Sequence, residues 1–137
     1  MVFACWRAAS ENPWATTLIG AVRDLVPEVP PPVPHAPGPF GLADKERLQT
    51  ILEGAGFVGI TITPFDCDAT LATEGGVEAA VSFVMQVGPA GAALAEATPE
   101  TRATAAARLA KALAPYEKNG RVALGGAVWM VEARRSA

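Results

Sequence analysis

The chain has 137 residues, half of them apolar and only 18% charged, which suits one globular core and excludes a disordered or polyelectrolyte chain. Its net charge of -3 and pI near 5.1 give no basic footprint for nucleic acid or for an anionic membrane surface. Two cysteines, Cys5 and Cys67, lie far apart and outside any CxxC or Cys/His cluster, so zinc has no support and both read as reduced, buried thiols.

Met1 to Arg7, Met-Val-Phe-Ala-Cys-Trp-Arg, reads as a buried strand. Such an apolar strand normally has neighbours on both sides. It lacks the basic region and cleavage site of a signal peptide, and no stretch reaches the ~20 apolar residues of a membrane span. The cytoplasm is the expected location.

Ser10 or Asn12 can cap the next element, and Pro13 suits a first helical turn, where its missing N–H costs nothing. Leu18, Ile19, Val22, Leu25 and Val26 recur at helical spacing, so a helix is predicted from Pro13 to Val26, ended by Pro27. Residues 27–40 hold seven of the twelve prolines. Proline fixes φ and removes the amide donor, so this loop, taken as 27–43, should be extended and polyproline-like. It serves either as a stiff spacer or as a pocket wall.

Asp44 then caps a helix from Lys45 to Ala55, striped by Leu48, Ile51, Leu52 and Ala55 and stopped by Gly56. A strand follows from Phe57 to Phe65, with Ile60 and Ile62 on its core face and Thr61 and Thr63 on the other. Asp66 and Asp68, flanking Cys67, read as turn residues or helix caps. From Thr73 the pattern is helical, through Val77, Ala80, Val81, Val84 and Met85, to a stop near Gly88-Pro89. A short Ala-rich helix covers about 90–96.

Thr98-Pro99-Glu100 then starts a helix that runs to about Tyr116, with Glu100 and Arg102 on a solvated face. Asn119-Gly120 is a turn signal. The last strand, Val122 to Val131, has little polar alternation and is expected to be buried on both faces at the centre of a sheet; Gly125-Gly126 marks a bulge or a close helix approach. Trp129 reads as core. The whole is an α/β or α+β sheet layer covered by helices, with fewer strands than its apolar content demands.

Several segments become specific together: Val2-Phe3-Ala4-Cys5-Trp6-Arg7, Glu11-Asn12-Pro13-Trp14, Pro37-Gly38-Pro39-Phe40-Gly41-Leu42-Ala43-Asp44, the Leu52-x-x-Ala55-Gly56-Phe57 helix end, and Ala127-Val128-Trp129-Met130-Val131-x-Ala133-Arg134. In this order the chain resembles class I S-adenosylmethionine-dependent methyltransferases, most closely bacterial small-molecule enzymes. The resemblance implies one domain over 1–137, the C-terminal portion of a Rossmann-like sheet. Met1–Trp6 corresponds to the fifth strand, Phe57–Phe65 to the sixth, and Val122–Val131 to an antiparallel seventh inserted between them. A helical insertion over 73–118 would cap the substrate side.

The resemblance implies S-adenosylmethionine as cofactor, yet the family's Gly-rich turn after the first strand and the acidic residue after the second are missing from this sequence. Met1 stands where the family has another aliphatic residue, so a truncated gene product, inactive alone, is expected. Its partners would be a small-molecule methyl acceptor and either a complementary N-terminal half or a second copy at the Met1 strand edge.

Methyl transfer is an in-line displacement that rests chiefly on positioning, with a base needed only when the acceptor must lose a proton. The candidate acceptor-binding residues are Trp6 and Arg7 at the carboxyl end of the first strand, Trp14 and Phe40 beside the Pro-rich loop, and His35, the only histidine and a candidate base. Packing alone would equally account for the aromatic residues. A competing expectation is a stand-alone α+β binding module that oligomerises through exposed strand edges.

Overall fold

A computed structural model describes residues 1–27 and 33–136. It is a mixed α/β structure with a four-stranded antiparallel sheet, and its chain gathers into two compact units. The first comprises 1–12, 31–67 and 126–137; the second comprises 13–30 and 68–125.

In the first unit, β1 (Val2–Trp6) lies against the second half of β4 (Arg121–Arg135), antiparallel, with Cys5 opposite Trp129 and Trp6 opposite Val128. On β4's other side runs β2 (Phe57–Ala72), giving the order β1-β4-β2. Ser136 donates to the Gly56 carbonyl, while Gly59 sits against the Arg134 side chain, so β2 also runs antiparallel to β4. The last strand of the chain is therefore inserted between two strands that are parallel to each other.

Helix α2 (Lys45–Gly54) starts where the sequence predicts: Asp44 Oδ1 accepts from the Arg47 amide at 3.0 Å. Gly56, at φ 81, turns the chain out of the helix in the left-handed region that a side chain disfavours. The helix lays Leu48 and Leu52 against Ile62 and Val131, with Phe3, Cys5, Ile60 and Trp129 around them. Burying each leucine contributes roughly 1.5–3 kcal/mol.

The second unit is a helical cluster on the remaining lengths of β2 and β4. Its helices are α1 (Pro13–Val22), α3 (Gly76–Val84), α4 (Gly88–Ala93) and α5 (Pro99–Leu113). Leu18, Val22, Ala80, Val84, Leu94, Leu109 and Leu113 form its core with Val122 and Leu124. Thr98 caps α5 by accepting from the Thr101 amide at 3.2 Å. Asn119 and Gly120, both at positive φ, close a tight hairpin between the two-residue β3 (Glu117–Lys118) and β4, a strand the sequence reading had not foreseen.

Several expectations need correction. The opening strand is not buried on both sides: among the described residues β4 is its only partner, and Val2 is 67% exposed. The helix from Pro13 ends at Val22 and continues only as a 3-10 turn over Arg23–Leu25. Residues 33–43 form successive turns rather than a polyproline stretch, closed by Ala36-to-Val33, Gly41-to-Gly38 and Ala43-to-Phe40 hydrogen bonds. The prolines at 30–32 lie outside the described residues.

Asp66, Cys67 and Asp68 are not turn residues, because β2 runs on to Ala72. Strand alternation carries Asp66 and Asp68 to the exposed face, where Asp66 meets Arg7 and Asp68 meets Arg121. Arg102 is not simply solvated; its guanidinium donates to the Leu94 carbonyl at 2.8 Å.

β4 is central but not buried on both faces. Val122, Leu124 and Gly126 are buried, then Ala127, Val131 and Ala133, with Met130 and Glu132 exposed. The alternation that the apolar sequence concealed is thus present, shifted by one residue at Gly126–Ala127. Gly125 lies close to a helix as expected, since a Cβ there would sit 3.5 Å from the Pro13 ring. Both cysteines are unpaired but half-buried rather than buried.

Candidate functional site

The carboxyl end of β1 gathers the most polar chemistry in the first unit. Arg7 follows the strand, its amide donating to the Ala127 carbonyl at 2.9 Å, and its guanidinium pairs with Glu11 and, at 2.8 Å, with Asp66. The hydrogen bond that Arg7 donates to the Glu11 carboxylate is the chief influence holding Arg7 charged; partial desolvation opposes it, and the charges of Glu11 and Asp66 add to it. Its Nε is buried without a hydrogen-bond partner. The guanidinium lies over the Trp129 ring at 5.3 Å, and the Lys45 ammonium stands 5.6 Å from the same ring.

Trp129 ties this cluster to the loop, because its Nε1–H donates to the Ala43 carbonyl at 2.8 Å. Arg47 reaches the Gly41 carbonyl at 3.1 Å, and the Cys5 thiol faces the Leu42 carbonyl at 3.8 Å. Burial pushes the Cys5 thiol's pKa up, so it stays protonated. Trp129→Phe should therefore cost about 1 kcal/mol in denaturant melts. It should also raise amide exchange over 41–44 without changing β1.

Beside the cluster a cavity of about 370 Å³ is lined by Ala4, Cys5, Trp6, Pro39 and Val128. In the second unit another opening of similar size runs along Thr70, Thr73, Glu74 and Phe83. Among the described residues no three His, Cys, Asp or Glu side chains gather as metal ligands.

The sequence-predicted residues are distributed over both units. Trp6 lines the first cavity, and Arg7 adjoins it in the chain, its charge engaged by two carboxylates. Phe40 is half-buried in the turn that follows Pro39. His35 is exposed at φ 63 and has no hydrogen-bond partner among the described residues, so nothing there equips it as a base. Trp14 belongs to the second unit, where it packs against the helical core.

The sequence reading missed Trp129, Glu11, Asp66 and Lys45. Glu11 stands four residues after Arg7, the one local signal available. Trp129 could be placed only through the β1–β4 register.

A sulfonium cofactor carrying an amino-acid carboxylate needs free amides at a helix N-terminus. The one Gly pair that opens a helix, Gly75-Gly76, does not provide them: the Gly76 amide donates to the Gly120 carbonyl at 2.8 Å. The Glu117 carboxylate fills the adjacent space, 2.7 Å from where a Gly76 Cβ would stand. That turn does not fit S-adenosylmethionine. No helix among the described residues is long and apolar enough to cross a membrane. No protein-family model matches the chain, and no curated protein matches it.

Proposed function

We propose that this chain is the acceptor-side half of a class I S-adenosylmethionine-dependent methyltransferase acting on a small molecule. The observation that carries this reading is the strand order: β4 runs antiparallel between β1 and β2, the arrangement the resemblance implies for the seventh strand between the fifth and sixth. The cavity at the carboxyl end of β1 supports it, since open α/β sheets place ligands there. In this reading Trp6 and Pro39 shape the acceptor pocket, and Trp129, whose ring carries the Arg7 guanidinium, fixes the loop that borders it.

The donor site would belong to a complementary half, which would add its strands along the edge of β1 that faces away from β4. In the antiparallel pair Arg7 bonds Ala127, and Met1 exchanges both bonds with Ala133. Odd-numbered residues of β1 therefore face β4, and the amides and carbonyls of Val2, Ala4 and Trp6 point the other way.

Calorimetry tests the reading. The chain alone should bind no S-adenosylmethionine, and it should bind when co-expressed with a first-half fragment that carries the Gly-rich turn. A stable complex of the two that binds no cofactor would remove the reading. It would favour a self-sufficient binding module, as would a monomer with a cooperative melt that ignores the fragment.

A further inference from the structure

The cavity beside β1 has a simple structural origin. Ala4 lies between Val2 and Trp6 on one face of β1, and its methyl group leaves a hollow beside the larger neighbours. Val128, directly opposite Trp6, forms the floor on β4, and Pro39 closes one side from the turn region. The volume of about 370 Å³ falls at the small end of ligand pockets, which run from about 300 to 1,000 Å³.

Charge decides what the hollow can take. Among the described residues no carboxylate, amine, guanidinium or imidazole lines it, and the Cys5 thiol, on the opposite face of β1 from Ala4 and Trp6, faces the Leu42 carbonyl instead. Arg7, the nearest cation along β1, is already matched by Glu11 and Asp66 and so is not available to an anion. A charged ligand would lose hydration there without gaining a partner. An uncharged ring system meets an indole, a proline ring and aliphatic side chains, the surfaces that favour stacking and apolar contact.

We infer that the hollow formed by Ala4, Cys5, Trp6, Pro39 and Val128 binds a small, neutral, planar aromatic molecule. The inference rests on the acceptor-half reading only in naming that molecule the methyl acceptor.

The test is amide-resolved NMR of the full chain titrated with indole, benzoate and benzylamine. Indole should shift the amides of Ala4, Cys5, Trp6 and Val128 in a saturable way, and the two charged probes should bind at least about tenfold more weakly. Ala4→Leu, at an exposed position, fills the hollow and should abolish the indole shifts while leaving the melt unchanged. Equal binding of a charged probe, no binding of indole, or indole shifts that survive Ala4→Leu would overturn the inference. So would shifts at these amides on diluting the protein without probe, which would assign the hollow to a second copy. Indole binding alongside failure to reconstitute a cofactor site would leave this inference standing and remove the methyltransferase reading.

Discussion

Asn12→Ala is expected to destabilise the protein by about 3 kcal/mol, a large share of the roughly 5–15 kcal/mol that holds a domain of this size folded. Asn12 is the one fully buried polar side chain among the described residues. Its Oδ1 accepts from the Ala127 amide at 2.8 Å, and its Nδ2 donates to the carbonyls of Arg7, Ala8 and Ala127 at 3.0–3.2 Å. The side chain thus closes both backbone groups of one β4 residue just where the β1–β4 ladder ends. Removing it strands a buried N–H and leaves a void, and neither loss can be recovered from bulk water. The measurement is a urea melt, with Ser10→Ala as control. Ser10 is exposed, so that variant should stay within about 0.5 kcal/mol of wild type.

Leu109→Ala should cost a similar amount, about 2–5 kcal/mol, and lower Tm by about 10 °C. Leu109 is wholly buried on α5, in the cluster that also holds Leu18, Val84, Leu113 and Leu124. Truncation loses the transfer free energy of the removed methyl groups and leaves a cavity that the surrounding helices and β4 cannot close without moving. Calorimetry reads the result. A loss below about 1 kcal/mol would mean that this core is loosely packed and that the second unit is not held by its leucines.

The elements that were legible in the sequence are those set by local chemistry. Asp44 and Thr98 cap the helices they were expected to cap, because a capping side chain needs only an amide three residues ahead. Asn119-Gly120 makes its turn for the same reason, since both residues tolerate positive φ. The alternation of Ile60 and Ile62 with Thr61 and Thr63 gave the core face of β2 correctly.

What was hidden depends on partners distant in the chain. Asp66 and Asp68 look like turn residues until Arg7 and Arg121 are brought opposite them, after which an acidic stretch can stay in a strand. Asn12 looks like an ordinary cap, and its link to Ala127 exists only once β4 lies beside β1. Trp129, read as core, is partly that, yet its ring also carries two cations and its N–H holds Ala43. No periodicity within either strand announces those contacts.

The candidate site was legible in outline and not in detail. Trp6 was found because it ends an apolar strand, and it lines the cavity. His35 drew notice by its chemistry alone and has no supporting neighbour, while Trp14 packs in a helical core. Residue type suggested these last two; packing decides their surroundings.

Addition of the cofactor-binding half along the edge of β1 that faces away from β4 would be read by amide hydrogen exchange at Val2 and Ala4. In the chain alone these two amides should exchange fast while those of Phe3 and Cys5, which face β4, are protected. With the first-half fragment and S-adenosylmethionine present, all four should be protected. A complex that binds the cofactor yet leaves Val2 and Ala4 exchanging fast would contradict that placement.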